Sequence, residues 1–281
     1  MSLAFAGLFG FYVYSAFRQK SWRQLKKIFW PPPTQLILAG LLIAFNYYGY
    51  MRGLAHTTAS NAQIMIQLGP VVLILIGVFY FREFLTFGQI AGIILALFGF
   101  GLFYIDQLSF ALANPESYLT GNIWIFGAGI SWAFFACTQK IFLESNAWSP
   151  QECNVVIYLV SFLALTPTAN FGELSNLSVW QWIVLASLAA NTIIAYGAFA
   201  EALRLAPASI VSLIISMNPL LTLALVAAIS FFGLDIIAPE PIMWRGYLGA
   251  LFVALGVAMA VSLRARSAAN TELGAELSTK V

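Results

Sequence analysis

Charge is what this chain has least of. Only 9% of its 281 positions carry Asp, Glu, Lys or Arg, where a soluble domain uses about 25% to build a wettable exterior. The 61% of positions that are hydrophobic fall in long blocks and not in amphipathic stripes, the pattern of spans surrounded by lipid. Those two facts exclude a water-soluble globule. The formal net charge of +2 decides little, because the placement of charge matters more than its sum.

Reactive residues are almost as scarce. The one histidine, His56, falls in a turn between apolar segments, and there is neither an HExxH nor a paired carboxylate inside an apolar run. The sets that an intramembrane enzyme needs, a nucleophile with its base, a carboxylate pair or a group of metal ligands, are missing. The chain is therefore read as a non-enzyme with no metal, no other cofactor and no nucleic-acid partner. Cys137 and Cys153 lie about a helix length apart without CxxC spacing, as buried free thiols do. Leu3–Phe17 has no basic region before it and no Ala-x-Ala site after it, which argues against a cleaved signal peptide.

What is present is hydrophobicity of membrane-spanning length. Nine apolar segments lie near 3–17, 35–54, 60–81, 88–105, 121–142, 153–168, 180–203, 209–232 and 246–263. Most are long enough to cross ~30 Å of hydrocarbon at ~1.5 Å per residue. Turn-rich connections separate them (Pro31-Pro32-Pro33, Asn114-Pro115, Ser149-Pro150 and Ala238-Pro239-Glu240-Pro241), and the tail from Arg264 has the composition of a disordered end. One orientation puts the basic loop Arg18, Lys20, Arg23, Lys26 and Lys27 in the cytoplasm together with Arg82, Lys140, Arg204, Arg264 and Arg266. It leaves Asp106, Glu116, Glu173, Asp235 and Glu240 outside. A multi-pass protein of the cell (inner, cytoplasmic) membrane is expected, with its N-terminus outside and its C-terminus cytoplasmic.

The chain also repeats itself. A shift of 149 sets Tyr47 on Tyr196, Leu54 on Leu203, Ala59-Ser60 on Ala208-Ser209, Ile66 on Ile215 and Pro70 on Pro219. After an eight-residue insertion Gly92 and Gly99 match Gly249 and Gly256. The second half has five spans, and the counterpart of its first would precede Met1, so the chain reads as one helix short of a ten-span plan. An odd number of spans per half turns the second copy upside down. The expected fold is all-α integral membrane, an inverted-repeat bundle of about nine transmembrane helices. Its parts are a first repeat at 1–105, an outside connector at 106–120, a second repeat at 121–263 and a cytoplasmic tail at 264–281.

Asn46-Tyr47-Tyr48-Gly49-Tyr50, Gly53-Leu54, Thr58-Ala59-Ser60-Asn61-Ala62, Gly69-Pro70 and Glu83 carry a family resemblance, as do Tyr196-Gly197-Ala198, Ala202-Leu203, Ala206-Pro207-Ala208-Ser209 and Asn218-Pro219. This pattern resembles the drug/metabolite transporter superfamily, specifically its EamA-type ten-helix permeases. The resemblance implies two copies packed around a central cavity and the export of amino acids, metabolites or drugs. It is nearly silent on substrate.

Polar groups inside a bilayer are costly, so those that persist face a cavity or another helix. Gln63, Gln67 and Pro70 share one helix face, and the shift puts Ser212, Ser216 and Pro219 on the same face of the partner. Such faces suit a central solute site; plain inter-helix hydrogen bonding, worth ~0.6 kcal/mol per contact, is the structural alternative. Pro70 and Pro219 cannot donate to the carbonyls of Ile66 and Ile215 and should kink both helices, as hinges or as packing features. Asn46, Tyr47 and Tyr50, with Asn191 and Tyr196 on the counterpart helix, add amides and aromatics, and Tyr47 with Tyr196 is the symmetric pair. Interfacial anchoring is the other role for such tyrosines. Trp132 and Gln139 lie seven apart on a further helix. Ser60 and Ser209 are expected to cap helix starts, and Gly88-x-x-x-Gly92 permits close helix contact inside the fold or in a homodimer.

The function expected is a membrane transporter moving a small metabolite or drug-like solute, by export, through alternating access to a central cavity. Its partners are then a small-molecule solute and membrane lipid; a lipid-facing flippase or a non-transporting scaffold is the alternative. Glu83 and Glu201 are the only acids within spans and both lie near cytoplasmic ends, whereas ion-coupled carriers place a carboxylate at mid-membrane. Solute counterflow in proteoliposomes should therefore run without an imposed proton gradient. Uphill uptake that strictly requires such a gradient would overturn that expectation.

Overall fold

With no water in the hydrocarbon core, every backbone N–H and C=O must be satisfied within its own segment, and the apolar runs accordingly fold as helices. The computed structural model describes residues 1–19, 33–57, 59–111, 115–145, 148–174, 176–218, 221, 244–249, 251–256 and 258–259, with no strand among them. The helices are α1 (Ser2–Gln19), α2 (Thr34–Leu54), α3 (Ala59–Met65), α4 (Leu68–Phe79) and α5 (Phe87–Ala111). They continue with α6 (Pro115–Ser145), α7 (Pro150–Leu165), the short α8 (Phe171–Leu174), α9 (Val179–Leu205) and α10 (Ala208–Ile215), followed by helical stretches at 244–249 and 251–256. Asn61–Phe79, Leu119–Ser145 and Val179–Leu205 are each long and apolar enough to cross a membrane. The protein is an all-α integral membrane protein.

Helix ends follow the local sequence. Ser149 accepts from Glu152 N–H while the Glu152 side chain accepts from Ser149 N–H, with Pro150 as the first helical residue. Ser178 and Gln181 build the same box at the start of α9. These boxes satisfy donors that a helix start leaves orphaned. α5 runs on to Ala111, and Pro115 opens α6, because proline at a first helical position costs no hydrogen bond. The basic loop at Lys20–Lys27, Pro219, Asp235, Glu240 and the tail at 264–281 lie outside the described residues, as does the side chain of Ser60.

The chain divides into two compact units, Met1–Gly49 with Ile130–Ala206, and Tyr50–Gly129 with Pro207–Val281. Each draws on both halves of the sequence. In the first, α1 packs on α7 and α9, and α9 packs on α7. Ser161 Oγ, on α7, reaches across to the Gly40 carbonyl of α2 at 2.9 Å. Ser131 Oγ, on α6, donates to the Leu42 carbonyl at 2.7 Å.

In the second unit α4 and α10 run antiparallel. A β-carbon on Gly77, near the end of α4, would lie 3.1 Å from Ser209 N at the start of α10. One turn earlier Ile74 shares a core cluster with Leu213, one turn later. The glycine-faced helices cross in the same sense. A β-carbon on Gly99 would sit 2.5 Å from the Gly249 carbonyl oxygen, and one on Gly256 would sit 2.5 Å from that of Gly92. Ala96 and Val253, equivalent under the repeat, lie together in the core cluster between those contacts. Antiparallel crossing of equivalent helices is what an inverted repeat requires. Gly92 is thus occupied inside the unit.

Both proline-bearing segments are interrupted. The α3–α4 segment breaks into a turn at Ile66–Gln67, where Gly69 N–H donates to Ile66 O at 3.0 Å. After α10 a turn falls at Ser216–Met217. Loss of the Pro70 N–H leaves Ile66 O to a tighter, three-residue bond.

The crossing glycines yield a stability prediction. Gly99→Ala and Gly256→Ala should each lower stability by about 1–3 kcal/mol, since a backbone carbonyl must move. Gly101→Ala, which has no heavy atom within 4 Å of its new carbon, should be neutral or better in the same detergent melting experiment.

Candidate functional site

In the first unit, residues from α2, α6, α7 and α9 meet in one aromatic and hydroxyl cluster. Tyr47 lies within hydrogen-bonding reach of Tyr196 and of Thr192, and the Trp132 indole N–H within reach of the Tyr196 oxygen. Thr192 Oγ donates onward to the Leu188 carbonyl at 2.8 Å, and the Tyr158 hydroxyl donates to the Thr192 carbonyl at 3.2 Å. Phe135 and Phe199 pack edge-on against the Tyr196 ring, with centroids 5.9 and 6.2 Å away, and Trp132 lies 5.3 Å from Phe199. Tyr47 and Tyr196 are the same residue in the two copies, so their meeting marks the local two-fold axis.

A second tier fixes the backbone behind Tyr196. Asn154 Nδ2 donates to the Tyr196 carbonyl at 3.1 Å, and Gln139 Nε2 donates to Asn154 Oδ1 at 2.9 Å. Both amides are buried, and Gln139 Oε1 has no partner among the described residues. Asn46 is buried on α2 beside Tyr47 in sequence. Asn191 is exposed, five residues before Tyr196 and so about 140° from it around α9; the structure does not bring it into the cluster.

The second unit holds the glutamine and serine face. Gln67 is buried at the α3–α4 interruption, where it occupies the cap position of α4 without making a side-chain cap bond. Its Oε1 and the Oγ of the fully buried Ser212 have no partner among the described residues. Ser216 is buried too, but its hydroxyl donates to the Ser212 carbonyl at 3.0 Å. Gln63 and Tyr50 are half-buried, and Pro70 is buried. An amide or hydroxyl left unpaired in an apolar interior costs roughly 1–3 kcal/mol, and Gln89 Nε2 in the same unit is also buried without a partner among the described residues.

Ser209 corrects a sequence expectation. The cap position of α10 is Pro207, whose apolar ring offers no hydrogen-bonding atom, and Ser209 lies inside the helix with its hydroxyl donating to Glu83 at 2.5 Å. Sequence reading also passed over Lys140 as more than a topology marker. Its buried Nζ donates to the Leu203 and Ala206 carbonyls at 3.0 and 3.1 Å and pairs with Glu144 at 2.8 Å, closing the end of α9. A lone lysine inside an apolar run was the available signal, because such a charge persists only with dedicated partners. The Gln139–Asn154 bond had no comparable signal, since Asn154 lies at the polar start of its segment. No group of metal ligands occurs among the described residues.

The polar tier gives a testable consequence. Asn154→Leu strands both the Gln139 amide and the extra lone pair of the Tyr196 carbonyl, and should cost about 1–3 kcal/mol in detergent unfolding. Asn154→Gln, which keeps the amide, should recover part of that loss.

Known proteins place this arrangement. The uncharacterized inner membrane transporter YhbE of Escherichia coli (strain K12) is 32% identical over 227 residues, covering 80% of this chain and 70% of the relative. An uncharacterized transporter of Haemophilus influenzae is 31% identical over 223 residues, 79% of this chain and 72% of its own. The uncharacterized transporter YxxF of Bacillus subtilis is 25% identical over 249 residues, 86% and 74% of the two chains. One solved crystal structure superposes with a TM-score of 0.66 over 93% of this chain and 86% of the other; at 15% identity the likeness is one of fold alone. The profile of the EamA-like transporter family matches residues 1–105 and 119–262. Since that match spans most of the sequence, the chain belongs to the EamA-like transporter family of membrane proteins.

Proposed function

We propose that this membrane transporter exports a small metabolite or drug-like solute by alternating access, each unit offering its own set of solute contacts. The observation that carries the reading is that Gln67 Oε1 and Ser212 Oγ are buried without a partner among the described residues, on segments interrupted at Ile66–Gln67 and Ser216–Met217. Asn46, Tyr47, Tyr50, Gln63, Trp132, Tyr196 and Ser216 complete the proposed contacts, Asn191 stands at their margin, and Pro70 and Pro219 act as hinges.

The tyrosine cluster supports a subordinate role for aromatic contact. Its hydroxyls already serve one another, so a solute must replace an existing bond there, whereas at Gln67 and Ser212 it supplies a missing one. Neutral amide, hydroxyl and ring groups suit amphipathic or zwitterionic solutes better than multiply charged ones. The C-terminus is assigned to the cytoplasm from the placement of Lys and Arg.

A resistance and efflux screen of expressing cells against amino acids, their toxic analogues and drug-like compounds should identify the solute. Gln67→Leu, Tyr196→Ala and Ser216→Leu should then each cut its export several-fold while the purified proteins elute as the parent does. Parental export by all three would remove these residues from the solute path.

A further inference from the structure

The connection between α4 and α5 is built to deliver one carboxylate. Arg82 takes a φ of 53°, a left-handed conformation that non-glycine residues rarely adopt. The next residue, Glu83, donates its N–H to the Gly77 carbonyl at 3.0 Å, which turns its side chain back over the start of α10. There the carboxylate accepts the N–H groups of Ala208 and Ser209 at 2.7 and 3.0 Å and the Ser209 hydroxyl. Gly77 is required by this contact, because a β-carbon there would lie 2.8 Å from Glu83 Oε2. The helix so capped has no cap of its own. A left-handed turn, a glycine and an uncapped helix start therefore all serve the same bond.

We propose that Glu83 is a releasable latch that holds α10 against α4 at one end of the second unit and lets the pair part during transport. Glu83 is only half-buried, so water can take over its bonds when it lets go. Below it, α4 and α10 are sealed by apolar contact between Ile74 and Leu213, and Ser212 is wholly covered. Beyond that seal each segment is interrupted, at Ile66–Gln67 and at Ser216–Met217. The stretch between latch and interruption is thus a short helical segment on each side, held to its neighbour by the carboxylate and, once the carboxylate is gone, by the Ile74–Leu213 contact. Release exposes Ser212, a proposed solute contact. The latch goes beyond the transport reading, and its test needs no solute, so either can fail without the other.

The test uses full-length protein in detergent with Cys137→Ser and Cys153→Ser, carrying Ser212→Cys as a reporter for a water-soluble maleimide. With Glu83 present the reporter should label slowly. Glu83→Gln keeps the size of the side chain but loses its charge, and should raise the labelling rate roughly tenfold or more, since charge-assisted bonds are the strong ones. Arg82→Val leaves the carboxylate but disfavours the left-handed turn, and should raise the rate likewise; Arg82→Gly, which tolerates the turn, should leave it unchanged. Elution on size exclusion reports folding. Parental labelling in folded Glu83→Gln or Arg82→Val would overturn the latch, and so would loss of folding in both, which would make Glu83 a fixed support.

Discussion

Where a helix crosses its own equivalent in an inverted copy, each residue on the axis meets itself, and only self-complementary residues can stand there. Two solutions appear. Tyrosine meets tyrosine at Tyr47 and Tyr196, each hydroxyl able both to give and to accept a hydrogen bond. Small meets small where Gly92 and Gly99 face Gly256 and Gly249, with Ala96 and Val253 between them. Neither meeting needs a charge, and the glycine crossing places its two helices antiparallel at close range.

Hydrocarbon sharpens every polar decision around them. In the first unit the polar groups form chains, Trp132 to Tyr196 to Tyr47 to Thr192 to a backbone carbonyl and Gln139 to Asn154 to another, with Gln139 Oε1 left over among the described residues. In the second unit Gln67 Oε1 and Ser212 Oγ have no partner among the described residues although both side chains are buried. Closed networks rigidify, and open ones mark the places where a further polar group is worth admitting. The first unit is thus braced by hydrogen bonds between its helices, and the second sets its open polar atoms beside interrupted helices.

The helix ends show the same economy. α7 and α9 are opened by serine boxes of their own, α9 is closed by a lysine from α6, and α10 is opened by a glutamate that lies 125 residues earlier in the chain. A cap drawn from the helix's own sequence moves with it. A cap borrowed from elsewhere ties two segments together and can be given back, which is why Glu83 differs in kind from Ser149 and Ser178.

Span-length apolar runs, proline and serine at their borders and the recurrence of the same events 149 residues on determined from sequence alone that the chain is helical, embedded in a membrane and built of related halves. Those properties depend on local backbone satisfaction and on period, which a one-dimensional string records in full. The string also picked out Tyr47 with Tyr196, because a residue on a two-fold axis must recur in both copies. Which partners lie across a helix interface was decided only in three dimensions. Asn191 turned out to face away from Tyr196, Ser209 to be held by Glu83 instead of capping its own helix, and Asn154 and Lys140 to reach carbonyls on α9. A hydrogen bond between helices depends on their rotation and rise relative to one another, and apolar packing over many residues sets those quantities, not the two residues that bond.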